Sequence, residues 1–124
     1  MQLLWIGMGG FVGATGRFLV ASLVQRWSGG SLYPYGTLAV NVVGCLIIGL
    51  LGGLDQSRQL FGPAARSFIF IGVLGGFTTF SSFGYETLNL AQSGQSQAAL
   101  LNVALQLGLG LGAAWLGLMV ARFL

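Results

Sequence analysis

The sequence predicts an all-α integral membrane protein with four transmembrane helices per chain, and three observations support this fold class. Of the 124 residues, 55% are apolar and only 6% are charged, against about 25% charged residues in soluble domains. The mean hydropathy is +0.85. Polar clusters divide the chain into four apolar runs, and each span of a bilayer takes about 20 such residues. We therefore expect a single four-helix domain over residues 1–124, surrounded by membrane lipid.

The four predicted spans end where polar and turn residues interrupt the apolar runs. They cover roughly residues 3–24, 36–54, 67–90 and 98–123. Four helices joined by three short loops predict an up-and-down arrangement with both termini on one side of the membrane.

The inventory of chemical groups excludes most other classes of protein. All five cations are arginine, histidine is absent, and the only acids are Asp55 and Glu86. Cys45 is the single cysteine, so neither an internal disulfide nor a zinc site is expected. Serines without a histidine or lysine base do not predict an enzyme. The net charge of +3 is scattered, so no nucleic-acid partner is expected.

The N-terminal segment is expected to remain in the membrane. It has no positively charged stretch before its apolar run, and Arg17 interrupts that run. Both features differ from those of a cleaved signal peptide.

The distribution of arginine leaves the orientation open. Arg58, Arg66 and Arg122 belong to one side of the membrane, whereas Arg26 belongs to the other and Arg17 lies part-way along the first span. This is a thin margin under the positive-inside rule. The chain either inserts in one orientation with cytoplasmic termini or inserts both ways and pairs antiparallel.

Small residues at four-residue spacing predict close contacts between helices. In lipid, helices associate through close approach of their backbones, which such residues permit. The pairs are Gly9 with Gly13 in the first span, and Gly108 with Gly112, Gly110 with Ala114 and Ala113 with Gly117 in the fourth.

Four polar residues fall inside predicted spans: Arg17, Asn41, Glu86 and Gln106. An ionisable residue at the centre of a span costs about 2.5–3.5 kcal/mol, so each should face protein or water. Arg17 is interpreted as a cation that holds helix ends or loop carbonyls near an interface. Asn41 is either a clasp between helices or an amide that faces a ligand.

The run of residues 75–83, Gly-Gly-Phe-Thr-Thr-Phe-Ser-Ser-Phe, predicts a break in the third span. It lies at the middle of that span, and paired glycines followed by threonines form helices poorly. A broken helix at the midplane exposes carbonyl and amide groups that bind ions. Phe77, Phe80 and Phe83 recur every three residues, and the electropositive edge of an aromatic ring can face an anion.

Three segments, residues 9–18, 36–44 and 75–83, resemble the signatures of the Fluc/CrcB family of fluoride channels. The segments occur in the same order and at matching spacing, and the four-span layout fits the whole chain. The resemblance implies a passive, fluoride-selective channel in the cell inner or plasma membrane. Such a channel exports fluoride from the cytoplasm and confers fluoride resistance.

The resemblance also implies an assembly and a set of site residues. Family members are antiparallel, dual-topology homodimers with two pores and a central structural sodium ion. By similarity, the carbonyls of Gly75 and Thr78 would hold the sodium ion, and Arg17 would support the architecture. The fluoride pore would be lined by Asn41, Phe80, Phe83, Ser81, Ser82, Glu86 and Gln106.

The fourth span departs from the family pattern. The family tends to present a track of hydroxyl or other polar side chains there, whereas this chain has Asn102 and Gln106 followed by Gly110 and Ala114. Gln106 is therefore the main candidate for that track.

The alternative function is a proton-coupled small multidrug-type transporter, which is similar in size and also has four spans. Such a transporter needs a membrane-embedded carboxylate, typically in the first span. The first span has no acid, and Glu86 lies in the third. A purely structural subunit would explain the glycine pairs but not the polar run at the midplane.

Overall fold

The structure, a computed structural model, describes all residues from Met1 to Leu124. It contains only helices, and four helical spans are long and apolar enough to cross a membrane, which confirms the predicted all-α membrane class. The elements are α1 (Gln2–Trp27), α2 (Tyr35–Arg58), α3 (residues 63–77), α4 (Phe80–Gln92) and α5 (Ser96–Phe123).

The third span, Pro63–Gln92, is made of α3 and α4 and is interrupted between them. Thr78 and Thr79 have extended backbones, with ψ angles of 158° and 113°. The two glycines before them, Gly75 and Gly76, remain helical. The break therefore falls on the β-branched threonines, which suit extended backbone better than helix, rather than on the glycines.

Most of α3 is a π-helix, over Ser67–Leu74. A π-helix closes its hydrogen bonds from residue i to i+5 and has a wider turn than an α-helix. In this segment, the carbonyl of Phe68 faces Gly9 of α1, and the carbonyl of Val73 faces Gly13. The two carbonyls are five residues apart in sequence, and the two glycines are four residues apart. A Cβ atom on either glycine would overlap the carbonyl opposite it. The predicted contact face of the first span therefore packs backbone to backbone against α3.

A second close contact joins α2 to α5. A Cβ atom on Gly49 would overlap the carbonyl of Ala114, and one on Gly117 would overlap the carbonyl of Leu46. By contrast, Gly108 and Gly112 have open space beside them. The small-residue spacing in α5 therefore marks two faces of the helix, of which one packs on α2 and the other is free in the single chain.

The outer surface of the chain is apolar. Only 20 of the 124 residues are buried, so most large apolar side chains cover the outside rather than a core. Leu3, Phe11, Leu111 and Phe123 are each more than two-thirds exposed. Exposed apolar patches of this extent belong against lipid or another protein, which fits a multi-pass membrane protein.

One acidic residue organises the turn between α2 and α3. Asp55 accepts a hydrogen bond from the backbone N–H of Phe61 at 3.1 Å and pairs with Arg66 at 2.8 Å. At the end of α2, Gln59 adopts the left-handed conformation, with a φ angle of 49°. The ion pair and the sharp turn close a loop of only a few residues between two spans.

We predict that Gly13→Ala destabilises the fold and that Gly7→Ala does not. The new methyl group at residue 13 would overlap the carbonyl oxygen of Val73, whereas residue 7 has nothing within 4 Å. Overpacking of this kind costs about 1–3 kcal/mol. Thermal unfolding in detergent measures the difference, and equal melting temperatures for the two variants would contradict the α1–α3 contact.

Candidate functional site

Asn41 of α2 pairs with the backbone of Thr79 at the break. Its Oδ1 accepts a hydrogen bond from the Thr79 N–H at 2.8 Å, and its Nδ2 donates to the Thr79 carbonyl at 3.0 Å. The side-chain amide thus satisfies both backbone groups of the residue at which the helix stops. Buried backbone groups left unpaired are costly. Asn41 therefore supplies the two hydrogen bonds that the Thr79 backbone would form in a continuous helix.

Thr79 also forms the N-cap of α4. Its Oγ1 accepts from the Ser82 N–H at 3.2 Å and donates to the Ser82 hydroxyl at 3.0 Å. The Ser81 hydroxyl lies 3.3 Å from the same oxygen. The first N–H groups of a helix have no intrahelical acceptor and carry a partial positive charge. The start of α4 therefore brings a positive helix end to the middle of the third span.

Arg17 of α1 reaches the break from the opposite side. Its Nη1 donates to the carbonyl of Thr78 at 3.3 Å, just beyond the C-terminal end of α3. A cation is stabilised at the C-terminal end of a helix, so this contact offsets the negative end of α3. The carbonyl that Arg17 contacts thus belongs to the broken segment of the third span.

A cavity of about 340 Å³, which we call the deep cavity, lies beside the break. Its wall includes Asn41, Thr79, Phe80, Phe83 and Gln106. The two phenylalanine rings have centroids 5.4 Å apart and are tilted by 64°, so the edge of one ring faces the other. The deep cavity is mainly apolar, and its polar groups are concentrated at the break.

Gln106 of α5 lies on the wall of the deep cavity and is only 8% exposed. Its Oε1 accepts a hydrogen bond from Asn41 Nδ2 at 3.0 Å. Its Nε2 is buried and has no hydrogen-bond partner in the chain. The wall of the deep cavity therefore includes a residue whose buried N–H donor has no partner in the chain.

A second cavity, of about 270 Å³, continues on the other side of Thr79. This connecting cavity lies among α1, α2 and α4, and its wall includes Arg17, Thr37, Ser82 and Glu86. Thr37 donates its hydroxyl to Glu86 Oε1 at 2.8 Å, whereas Glu86 Oε2 is buried without a partner. Arg17 and Glu86 thus share a cavity without forming an ion pair, since the only ion pair in the chain joins Arg66 and Asp55.

An outer vestibule of about 750 Å³ opens beyond Glu86. Arg26 and Gln25 line it together with Thr37 and Glu86. Because Thr37 and Glu86 line both spaces and Thr79 lines the two inner cavities, the three cavities succeed one another from the surface to the break. Their order describes a path with polar groups along its length.

Gln25 holds the loop at the rim of the vestibule. Its Nε2 donates to the carbonyls of Ser31 and Tyr33, at 2.8 and 3.0 Å, and its Oε1 accepts from the N–H of Gly36 at 3.1 Å. Burial, together with the neighbouring Tyr35, raises the pKa of Tyr33. The Tyr33 phenol therefore stays neutral at physiological pH.

The comparisons with known proteins identify the family. Residues 4–118 match the family described as "CrcB-like protein, Camphor Resistance (CrcB)". A protein of Magnetococcus marinus named "Fluoride-specific ion channel FluC" is 44% identical over the full length of both chains. One of Campylobacter jejuni with the same name is 48% identical over 97% of each chain. The chain belongs to the CrcB family.

Family membership confirms the resemblance predicted from three segments of the sequence. The relatives are named as ion channels rather than enzymes, which agrees with the expectation that the chain is not an enzyme. A third relative, from Opitutus terrae, carries the same name and is 48% identical over 92% of this chain and 87% of its own.

The structure brings together most of the predicted site residues of this CrcB-family chain. Six of them line the deep cavity, and three line the connecting cavity. Ser81 lines none of the three cavities, because its side chain is exposed beside Thr79. The predicted residues that line the deep cavity are Asn41, Gly75, Thr78, Phe80, Phe83 and Gln106. Those that line the connecting cavity are Arg17, Ser82 and Glu86.

Sequence reasoning missed Thr37 and Thr79 as site residues. Thr37 precedes Asn41 by four residues on α2, so a helical spacing argument would have placed the two on one face. Thr79 was part of the predicted break, but its partner lies 38 residues away, and no local pattern indicates such a pairing.

Asn102, the other polar residue of the fourth span, has a structural position. It is fully buried, and its Nδ2 donates to the Thr87 hydroxyl at 2.9 Å. Thr87 in turn donates to the carbonyl of Phe83 at 2.7 Å. Asn102 therefore holds α4 against α5 and supports the backbone that carries Phe83.

We predict that Thr79→Val destabilises the chain by about 0.5–2 kcal/mol, the usual cost of losing an N-cap. Valine keeps the shape of the side chain but cannot accept the Ser82 N–H. Thr15→Val, on the exposed part of α1, is the matched control. Denaturant-induced unfolding in mild detergent compares the two, and equal stability of both variants would contradict the cap.

Proposed function

We propose that this chain is a fluoride-selective channel through which fluoride leaves the cytoplasm passively, so that the cell becomes resistant to fluoride. The observation that carries the proposal is the deep cavity, whose wall combines Gln106, with a buried and unpartnered amide N–H, and the rings of Phe80 and Phe83. Membership of the CrcB family and relatives named as fluoride-specific ion channels support it.

The chemistry of the path suits a small, strongly hydrated anion. A pore must replace the water around such an ion with donors at close range and release it again, which requires several moderate sites. The amide groups of Asn41 and Gln106, the hydroxyl of Ser82, and the ring edges of Phe80 and Phe83 are donors of moderate strength. Fluoride passes them on its way between the deep cavity and the outer vestibule.

The electrostatics at the break favour an anion as well. The positive end of α4 and the guanidinium of Arg17 both lie at the junction of the two inner cavities. Discontinuous helices in transporters present their positive ends to anionic substrates in the same way. Glu86 belongs to the same path and is held by Thr37 on its vestibule side.

We further propose that the active unit is an antiparallel, dual-topology homodimer with two pores. Phe80 is 79% exposed beside the break, and the carbonyl of Gly75 has lost the Thr79 N–H to Asn41. Non-helical backbone at membrane depth is tolerated only where protein or a water-filled cavity covers it. A second copy of the chain supplies that cover, and the thin arginine margin between the two ends permits both orientations.

The proposed structural sodium ion fits the carbonyls at the break. Sodium is a hard cation that prefers oxygen ligands, and Gly75 and Thr78 both line the deep cavity. The carbonyl of Thr78 already accepts from Arg17, which leaves it one lone pair. One chain offers few ligands, so the site would be completed by the same carbonyls of the second copy.

The small multidrug-type transporter is the weaker candidate. Its proton exchange needs a membrane-embedded carboxylate, typically in the first span, and α1 has none. We propose that the channel lies in the cell inner or plasma membrane, which the multi-pass fold and the exporting role support.

Fluoride efflux from liposomes tests the proposal directly. Purified protein is reconstituted with fluoride inside, a potassium gradient and valinomycin drive efflux, and a fluoride electrode records it. We expect rapid release of fluoride and none of chloride in a matched chloride experiment. Release of both ions, or of neither from folded protein, would contradict a fluoride-selective channel.

We predict that Asn41→Asp strongly reduces fluoride efflux. The substitution keeps the shape of the side chain but replaces an N–H donor by a negatively charged acceptor, which repels an anion and loses the bond to the Thr79 carbonyl. Hydrogen bonds to charged groups contribute about 1.5–3 kcal/mol, so the flux should fall about tenfold or more. Wild-type flux from the folded variant would exclude Asn41 from the path.

A further inference from the structure

Two buried polar groups, one in the loop between α1 and α2 and one on α5, lack hydrogen-bond partners and are chemically complementary. They are the hydroxyl of Tyr33 and Oδ1 of Asn102. Tyr33 is only 9% exposed, and Asn102 is 0% exposed. A phenol hydroxyl has a hydrogen to donate, whereas an amide oxygen can only accept. Because buried polar groups in proteins are nearly always paired, each of the two groups requires a partner.

Neighbouring hydrogen bonds fix which end of the Asn102 amide is unpaired. Thr87 donates its only hydroxyl hydrogen to the carbonyl of Phe83 at 2.7 Å. The Thr87 oxygen can therefore only accept from Asn102, whose Nδ2 lies 2.9 Å away. The nitrogen end of the Asn102 amide thus faces α4, and Oδ1 is the end that is left without a donor.

Packing brings the two unpaired groups to the same buried cluster. The ring of Tyr33 packs in a cluster with Leu90 of α4 and Ala99 of α5. Asn102 follows Ala99 by three residues, so the two lie on one face of α5. Side chains of a helix lean towards its N-terminal end. Asn102 therefore extends back over the turn of Ala99, against which Tyr33 packs.

The hydroxyl of Tyr33 is the donor best placed for Asn102. Gln106, four residues further along α5, also has an unpaired donor, Nε2. Gln106 lines the deep cavity, whereas Asn102 does not, and Asn102 leans away from Gln106 towards the N-terminal end of α5. Burial raises the pKa of Tyr33, so its phenol keeps the hydrogen that it would donate.

A water molecule can join the two groups, which form no direct hydrogen bond with each other. A buried water typically makes about three hydrogen bonds to polar groups that otherwise lack partners. Water is also close at hand. The 28 residues of α5 extend for about 42 Å, and the hydrocarbon core is about 30 Å thick. Asn102, about 9 Å from the first residue of α5, therefore lies near the edge of that core.

We propose that one water molecule binds between Tyr33 and Asn102, where it accepts from the phenol and donates to Oδ1. Gln25 of α1 already holds the carbonyl of Tyr33. The bound water therefore ties the loop at the rim of the vestibule to α5 and, through Thr87, to the backbone of Phe83. The inference goes beyond the proposed function, because the water site does not depend on whether the chain conducts fluoride.

A double-mutant cycle tests the link between the two residues. Tyr33→Phe removes only the hydroxyl, and Asn102→Leu removes the amide at similar volume. We expect Tyr33→Phe to lower the melting temperature in detergent by about 2–8 °C, as for one lost hydrogen bond. In the Asn102→Leu background it should lower the melting temperature no further, because contacting groups are not additive. Tyr35→Phe, on the half-exposed neighbouring ring, is the matched control and should have the same small effect in both backgrounds.

Solid-state NMR in bilayers detects the water itself. The chain has three tyrosines, so 13C at tyrosine Cζ gives three signals, and the Tyr33→Phe spectrum identifies that of Tyr33. We expect magnetisation from water protons to reach Cζ of the buried Tyr33 about as fast as that of the half-exposed Tyr35. In Asn102→Leu, the transfer to Tyr33 should fall severalfold and the transfer to Tyr35 should stay the same.

Three results would overturn the water site. Equal loss of stability from Tyr33→Phe in both backgrounds would show that Tyr33 and Asn102 are not linked. Coupling of the two substitutions without transfer from water to Tyr33 would mean that the phenol donates directly to the amide. Coupling of Asn102→Leu with Gln106→Met, and none with Tyr33→Phe, would assign Oδ1 to Gln106. If Asn102→Leu does not fold, the transfer to Tyr33 in the wild-type protein still decides whether water is bound.

Discussion

The pairing of one side-chain amide with one backbone residue is the interaction on which the rest of the site depends. A membrane span that stops at its midpoint leaves N–H and carbonyl groups without partners, and lipid offers none. Asn41 satisfies both groups of Thr79, at 2.8 and 3.0 Å. Thr79 is then free to cap α4 with its side chain. Without that pairing, a continuous helix would close the break and remove the polar surface of both inner cavities.

The break also organises charge in a region where charge is expensive. It places the negative end of α3 and the positive end of α4 next to each other. Arg17 stabilises the negative end of α3 by its contact with the Thr78 carbonyl. The positive end of α4 is left to act on the path, together with the open amide of Gln106. The proposed anion path therefore has one arginine nearby, and the chain contains no lysine or histidine.

The sequence predicted the four spans and the break better than it predicted which side chains form hydrogen bonds with each other. Apolar runs predicted four spans because the length of a span is a local property, and the Gly-Gly-Phe-Thr-Thr run predicted a break because helix propensity is local as well. The π-helix of Ser67–Leu74 was not predicted, since it depends on the close approach of α1. The bonds of Asn41 join residues 38 and 65 positions apart, and such pairings follow from tertiary packing that no spacing rule contains.

The backbone conformation of the two threonines, measured by solid-state NMR in bilayers, tests the central claim most directly. The account predicts extended chemical shifts for Thr78 and Thr79, helical shifts for the residues on both sides, and an Asn41 side chain in contact with the Thr79 amide. Helical shifts at both threonines, with the Thr79 N–H bonded to the Gly75 carbonyl, would mean that the third span is continuous and would contradict the account.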